Sequence, residues 1–133
     1  MLIQSKHKHE KIVLGLLSYT EEGLPMNELL QLLKEYRDHP NRELYLYKDD
    51  ETENFVGLMG IERTQLDETG SETIVIDRVA VIPSFRNEGI GYQMYAALRQ
   101  RYPESNWLGA LNTSDFVVKW AQKYHQERTQ NHE

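Results

Sequence analysis

Residues 79–91 read Val-Ala-Val-Ile-Pro-Ser-Phe-Arg-Asn-Glu-Gly-Ile-Gly, and this stretch restricts the fold more than any other. An apolar run stops at Pro83. A short loop then carries Arg86, Gly89 and Gly91, and a helical pattern begins at once. Strand, glycine-bearing turn and helix start together outline an anion site. The first backbone N–H groups of a helix have no internal partner, and the helix dipole favours negative charge there. Glycines let that backbone approach phosphate oxygens without an intervening Cβ. A diphosphate is the ligand that suits such a loop. The bland alternative is a strand–helix turn that uses its glycines only for tightness.

Three phosphate-binding patterns compete for this stretch. A P-loop needs Lys-Ser or Lys-Thr after its second glycine, but Tyr92-Gln93 follow Gly91, so that pattern fails. A dinucleotide fingerprint needs a third glycine where Met94 stands. The pattern Arg/Gln-x-x-Gly-x-Gly/Ala is satisfied in full by Arg86, Gly89 and Gly91, after Val79-x-Val81-x-Pro83 and before a helix. This resembles the acetyl-CoA loop of the GNAT superfamily of N-acetyltransferases.

Length and composition bound the rest. At 133 residues the chain is expected to form one domain, with residues 127–133 a frayed polar tail. A formal net charge of −6 argues against nucleic acid as a partner. The absence of cysteine excludes disulfides and thiolate metal sites and fits the cytoplasm, and no metal is expected. No stretch approaches the roughly 20 apolar residues of a membrane helix, so no membrane partner is expected either.

Hydrophobic spacing predicts the element order βααβββαβα. Leu2–Ser5 reads as a short strand. Glu10–Tyr19 is a helix with Ile12, Val13, Leu16 and Leu17 on one face. Met26, Leu29, Leu30, Leu33 and Tyr36 mark a second helix. Glu43–Tyr47, Asn54–Glu62 and Thr73–Val81 read as an antiparallel meander, with a polar loop from Thr64 to Ser71. Ile90, Met94 and Leu98 line one side of the next helix, which Pro103 ends. Asn106–Leu111 is a strand, Asn112-Thr113-Ser114 offers helix caps, and a last helix carries Val117, Ala121 and Tyr124. The expected class is α/β of the α+β type, a mostly antiparallel sheet flanked by helices. This is also the GNAT order, lacking its final two strands. Met1-Leu2-Ile3, Glu10–Ser18, Arg42–Leu46 and Val56–Gly60 further resemble the small GNAT proteins of riboflavin-biosynthesis operons in Gram-positive bacteria.

The resemblance implies a chemistry. Acetyl-CoA as cosubstrate lies where the strands flanking the loop splay apart. Loop amides from Arg86 through Asn87, Glu88, Gly89, Ile90 and Gly91 to Tyr92 hold the pyrophosphate. The backbone of Val79, Ala80 and Val81 pairs with the pantetheine arm. A small amine attacks the thioester directly, and a backbone N–H near Val81 stabilises the oxyanion. Asp77 is the expected base, on the same face as Val79 and Val81 by strand alternation. Its alternatives are an ion pair with a basic neighbour or an exposed edge, and Glu62 and Glu72 are weaker candidates. Asn112 matches the family's asparagine after the last strand, but the tyrosine expected seven positions later is Lys119, with Tyr124 further along.

That departure keeps a second class open, a CoA-binding protein with little turnover. A nucleotide-diphosphate binder without CoA preference is a third. The missing strands imply an open acceptor site or a homodimer completing it. Tyr45, Tyr47, Trp107 and Trp120 are expected in the core, with an aromatic pocket for a flat heterocycle as the alternative. The basic run Lys6–Lys11 is expected to be a solvated helix start, with the CoA 3′-phosphate as its other use. A bulky side chain at Gly91 is expected to block the pyrophosphate and leave the fold intact.

Overall fold

The computed structural model describes residues 1–20, 23–65, 68 and 70–130. The elements are β1 (Leu2–Gln4), α1 (Glu10–Leu17), α2 (Met26–Asp38), β2 (Arg42–Lys48), β3 (Phe55–Gln65), β4 (Glu72–Val81), α3 (Ile90–Arg101), β5 (Asn106–Gly109) and α4 (Ser114–Gln130). Their order is the expected βααβββαβα. Five strands form one sheet in sequence order. β1 to β4 pair antiparallel, and β5 joins β4 in parallel. A parallel pair needs a long crossover, which α3 supplies.

Each face of the sheet carries its own apolar layer. On one face Val13, Leu16 and Leu17 of α1 and Leu29, Leu32, Leu33 and Tyr36 of α2 cover Leu44, Leu46, Leu58 and Ala80. On the other, Ile90, Met94, Tyr95 and Leu98 of α3 and Val117 and Tyr124 of α4 cover Tyr45, Met59, Ile61, Ile74 and Ile76. Each fully buried large side chain of this kind stabilises the fold by about 1.5–3 kcal/mol. Ile12, Met26 and Leu30, expected on the helix faces, lie exposed instead. In α2 the buried stripe is Leu29, Leu32, Leu33 and Tyr36, so Leu32 takes the place expected for Leu30.

Alternation along β4 is broken. Gly60 of β3 pairs with Arg78 and Ile61 with Ile76, which leaves Asp77 as the extra residue of a β-bulge. Before the bulge the even residues Ile74 and Ile76 face α3 and α4. After it the odd residues Val79 and Val81 do so, and Ala80 faces α1 and α2. Asp77 therefore does not share a face with Val79 and Val81, as alternation predicted. Its carboxylate meets Tyr36 and Arg42 on the α1–α2 side.

The C-terminal expectation also needs correction. The segment from Glu127 is helical as far as Gln130, and residues 131–133 lie outside the described residues. Glu127 accepts a hydrogen bond from the Tyr92 hydroxyl at 2.7 Å, and Arg128 donates to the Tyr124 hydroxyl at 2.9 Å. Contacts to α3 and across one helical turn hold a segment whose polarity alone suggested fraying. The loop expected at 64–71 is shorter than that, because β3 extends to Gln65; residues 66, 67 and 69 lie outside the described residues. No helix among the described residues is long and apolar enough to cross a membrane.

Candidate active site

The site begins where β4 and β5 part. Their parallel pairing ends at Ile76 and Gly109. Ala110 N–H still donates to the Ile76 carbonyl at 3.1 Å, and the Thr113 hydroxyl donates to the same oxygen. Thr113 also accepts from Ala110 N–H at 2.9 Å and is buried. The Asn-Thr-Ser segment thus does more than start α4, since Thr113 pins the end of β5 to β4.

Beyond that pin β4 runs on to Val81, paired only with β3. Ile82 N–H donates to the Val56 carbonyl at 2.9 Å. By antiparallel alternation the polar groups of Ala80 also point at β3, and those of Val79 and Val81 point to the open side. Arg86 Nε donates to the Val81 carbonyl at 3.1 Å. The Val79 N–H and C=O and the Val81 N–H remain along an open strand edge.

The loop continues this edge into a helix start. Pro83–Phe85 forms one 3-10 turn. Asn87 at φ 68° and Gly89 at φ 79° both take left-handed conformations. Asparagine tolerates that region, and glycine adopts it freely. Gly89 is the N-cap of α3, and no side chain caps the helix there. The first amides of α3 are accordingly available to a ligand.

A groove of about 480 Å³ connects the two features. Val79, Ala80, Val81, Arg86, Asn87, Gly89, Ile90, Gly91 and Tyr92, all expected at the site, line it. No carboxylate of the described residues does, although the chain has a formal net charge of −6. Among the described residues Arg86 forms no ion pair, and its guanidinium stands 5.9 Å from the Tyr19 ring centroid. A second cleft of about 310 Å³, lined by Lys6, Glu10 and Arg37 among others, lies at the opposite end of α1. It has neither the open strand edge nor the glycine loop.

Other expected residues are placed differently. Glu88 is exposed outside the groove lining. Asn112 lies at the parting of the strands, where its side-chain amide donates to the Asp77 carbonyl at 3.4 Å. The Asp77 carboxylate accepts from the Tyr36 hydroxyl and, at 2.7 Å, from Arg42. Burial first, then the Asp77 charge, push the Tyr36 phenol far above its ordinary value. Glu72 is held by Arg63 at 3.0 Å. Lys119 is exposed, and Tyr124 is buried in the α3–α4 layer beneath Arg128.

Four groove residues escaped the sequence reading: Tyr19, Phe85, Phe116 and Trp120. Phe116 and Trp120 stack one helical turn apart at 5.9 Å. Their spacing of four is a usable signal, and Trp120 both packs against the core, as expected, and lines the groove. Its indole lies against Gly91, where a Cβ would sit 2.7 Å from the ring. Gly91 thus makes room for α4, and Gly89 supplies the left-handed turn. Among the described residues no group of three or more histidines or carboxylates could hold a metal ion.

Comparison with known proteins agrees with this architecture. The model of the acetyltransferase (GNAT) family matches residues 13–128. An uncharacterised N-acetyltransferase from the lysA 3′ region of Bacillus methanolicus is 35% identical over 119 residues, spanning 90% of this chain and 93% of that protein. The crystal structure of a GNAT family acetyltransferase of Staphylococcus aureus superposes with a TM-score of 0.67 at 18% identity, over 82% of this chain and 83% of the other. The aminoglycoside N-acetyltransferase AAC(6′)-Iy in complex with CoA superposes with a TM-score of 0.65 at 20% identity, over 96% and 84%. At those identities the solved structures speak for the fold alone.

Proposed function

The chain belongs to the GNAT family of acetyltransferases and is itself an acetyltransferase, and from that premise we propose that it transfers the acetyl group of acetyl-CoA to the amine of a small molecule by direct attack. The observation that carries this reading is one groove that joins the open edge of Val79 and Val81, through the loop after Pro83, to the uncapped start of α3. The edge suits the amides of a pantetheine arm, and the helix start suits a pyrophosphate. The resemblance of the outer segments to RibT, the small GNAT protein of riboflavin operons, supports a link to riboflavin metabolism. The lack of cysteine supports a cytoplasmic setting.

In this proposal the amides from Asn87 to Tyr92 bind the pyrophosphate; the Arg86 N–H, expected among them, is taken by the Pro83 carbonyl at 3.3 Å, and Arg86 adds its side-chain cation. Val79 to Val81 align the pantetheine, and the Val81 N–H faces the carbonyl oxygen that becomes the oxyanion. Asp77 receives the amine's proton on the α1–α2 side of the sheet. Tyr36 and Arg42 each take one lone pair of its carboxylate, and its oxygens retain others. Asn112 sits where the thioester would lie. The new C–N bond forms first and gives the tetrahedral oxyanion, whose collapse breaks the C–S bond; the departing thiolate takes a proton from water.

Calorimetric titration with acetyl-CoA, using ADP as the control, tests the reading. Saturable binding tighter than ADP is expected, and a folded sample that binds no acetyl-CoA overturns it. One observation favours a second reading, CoA binding with little turnover: exposed Lys119 stands at the position of the expected tyrosine acid. Turnover with a panel of amines separates the two. We also propose a homodimer through β5, whose outer edge carries exposed Leu108 and precedes exposed Leu111. Sedimentation analysis tests that assembly.

A further inference from the structure

The geometry points to Lys123 as the residue that recognises the 3′-phosphate of acetyl-CoA; this rests on the acetyl-CoA reading above. The sequence offered Lys6–Lys11 for that contact, but the fold places it elsewhere. That run enters the N-terminal end of α1, whereas Tyr19, beyond its C-terminal end, is the residue that lines the groove. An eight-residue helix separates the two by about 12 Å.

The wall formed by α4 supplies a cation instead. Phe116, Trp120, Lys123 and Glu127 fall at helical spacing and form one stripe. Phe116 and Trp120 line the groove. Trp120 marks the level of Gly91 and hence the helix start that suits the pyrophosphate. Lys123 lies nearly one turn beyond it, with its ammonium 4.4 Å from the ring centroid of Tyr92, another groove residue. The stripe therefore runs in the order of the ligand, with the cation placed past the pyrophosphate.

The local charges fit a phosphate monoester. Lys123 is exposed, and among the described residues it forms no ion pair. The nearest carboxylate on the stripe, Glu127, is engaged by the Tyr92 hydroxyl at 2.7 Å. That bond also fixes the ring beneath the ammonium. A monoester of charge close to about −2 needs no planar fork, and a compact ammonium with three donors serves it.

The test compares acetyl-CoA with 3′-dephospho-acetyl-CoA by titration calorimetry on the wild type, Lys123→Ala and Lys123→Arg, with circular dichroism to verify folding. The wild type is expected to prefer the phosphorylated ligand by about twofold to fivefold, the range of an exposed ion pair. Lys123→Ala should lose that preference through weaker acetyl-CoA binding while its affinity for the dephospho ligand holds, and Lys123→Arg should restore it. Equal wild-type affinities, or a preference that survives Lys123→Ala, overturn the assignment and leave the acetyl-CoA reading standing. Failure of the wild type to bind either ligand overturns that reading, and this one with it.

Discussion

Gly60 of β3 faces the Asp77 bulge at a distance that leaves no room for a side chain. A Cβ built on Gly60 would lie 2.9 Å from Asp77 Oδ1 and 2.6 Å from the Tyr36 hydroxyl oxygen. The glycine makes space for a polar pair that joins α2 to the centre of the sheet. Gly60→Ala should push Tyr36 and Asp77 apart and destabilise the fold by about 1–3 kcal/mol, the usual cost of overpacking. Urea unfolding checks the loss. A change below a few tenths of a kcal/mol would mean that α2 shifts freely.

Arg42 and Asp77 form a half-buried pair at 2.7 Å, with side-chain exposures of 19% and 16%. Removing only the cation leaves a carboxylate short of compensation. Arg42→Ala should cost about 1–3 kcal/mol near neutral pH. A double-mutant cycle with Asp77→Asn should show positive coupling, and strict additivity would show that the two contribute independently.

Gly91 and Trp120 bear on how the loop meets α4. The sequence reading expected a bulky residue at 91 to leave the fold intact. The contact of 2.7 Å predicts instead that even Gly91→Ala displaces the indole and loosens the α3–α4 packing. A loss of about 1–2 kcal/mol is expected, accompanied by a change in tryptophan fluorescence. Trimming the ring in Gly91→Ala/Trp120→Leu should recover part of it. Loss of ligand binding in a Gly91 variant is then interpretable only beside a stability measurement.

His9 makes the fold pH-dependent. The residue is buried, its ring meets Phe55 edge-on at 5.4 Å, and Nδ1 accepts the Lys6 N–H at 2.9 Å. That bond requires neutral imidazole with its proton on Nε2. Burial first, then the charges of Lys8 and Lys6, hold its pKa below the ordinary 6.5. The unfolded chain thus binds a proton more readily than the folded one. The stability contributed by neutral His9 is complete above 6.5 and falls as pH drops from there toward the folded value. Denaturation midpoints at about pH 7 and about pH 5 should differ more for the wild type than for His9→Gln. Equal differences would remove His9 as the cause.

Much of this protein can be read directly from its residues. Arg86, Gly89 and Gly91 between an apolar run and a helical pattern announce the loop, because a left-handed turn and uncapped amides are local needs met by local residue types. Periodicity locates every element for the same reason, since a helix or strand writes its own repeat into adjacent positions. The face presented by Asp77 was not legible. It depends on a one-residue bulge set against Gly60, 17 positions earlier, and on Tyr36, 41 positions away. One extra residue reverses every later side chain, and no local pattern reports it. Trp120 packs against the core as expected, but its second role, lining the groove beside Gly91, depends on where α4 crosses α3. Sequence determines what is settled within one turn or one strand. The tertiary structure decides which distant side chains compete for the same space, because steric exclusion acts between neighbours in space, whatever their separation along the chain.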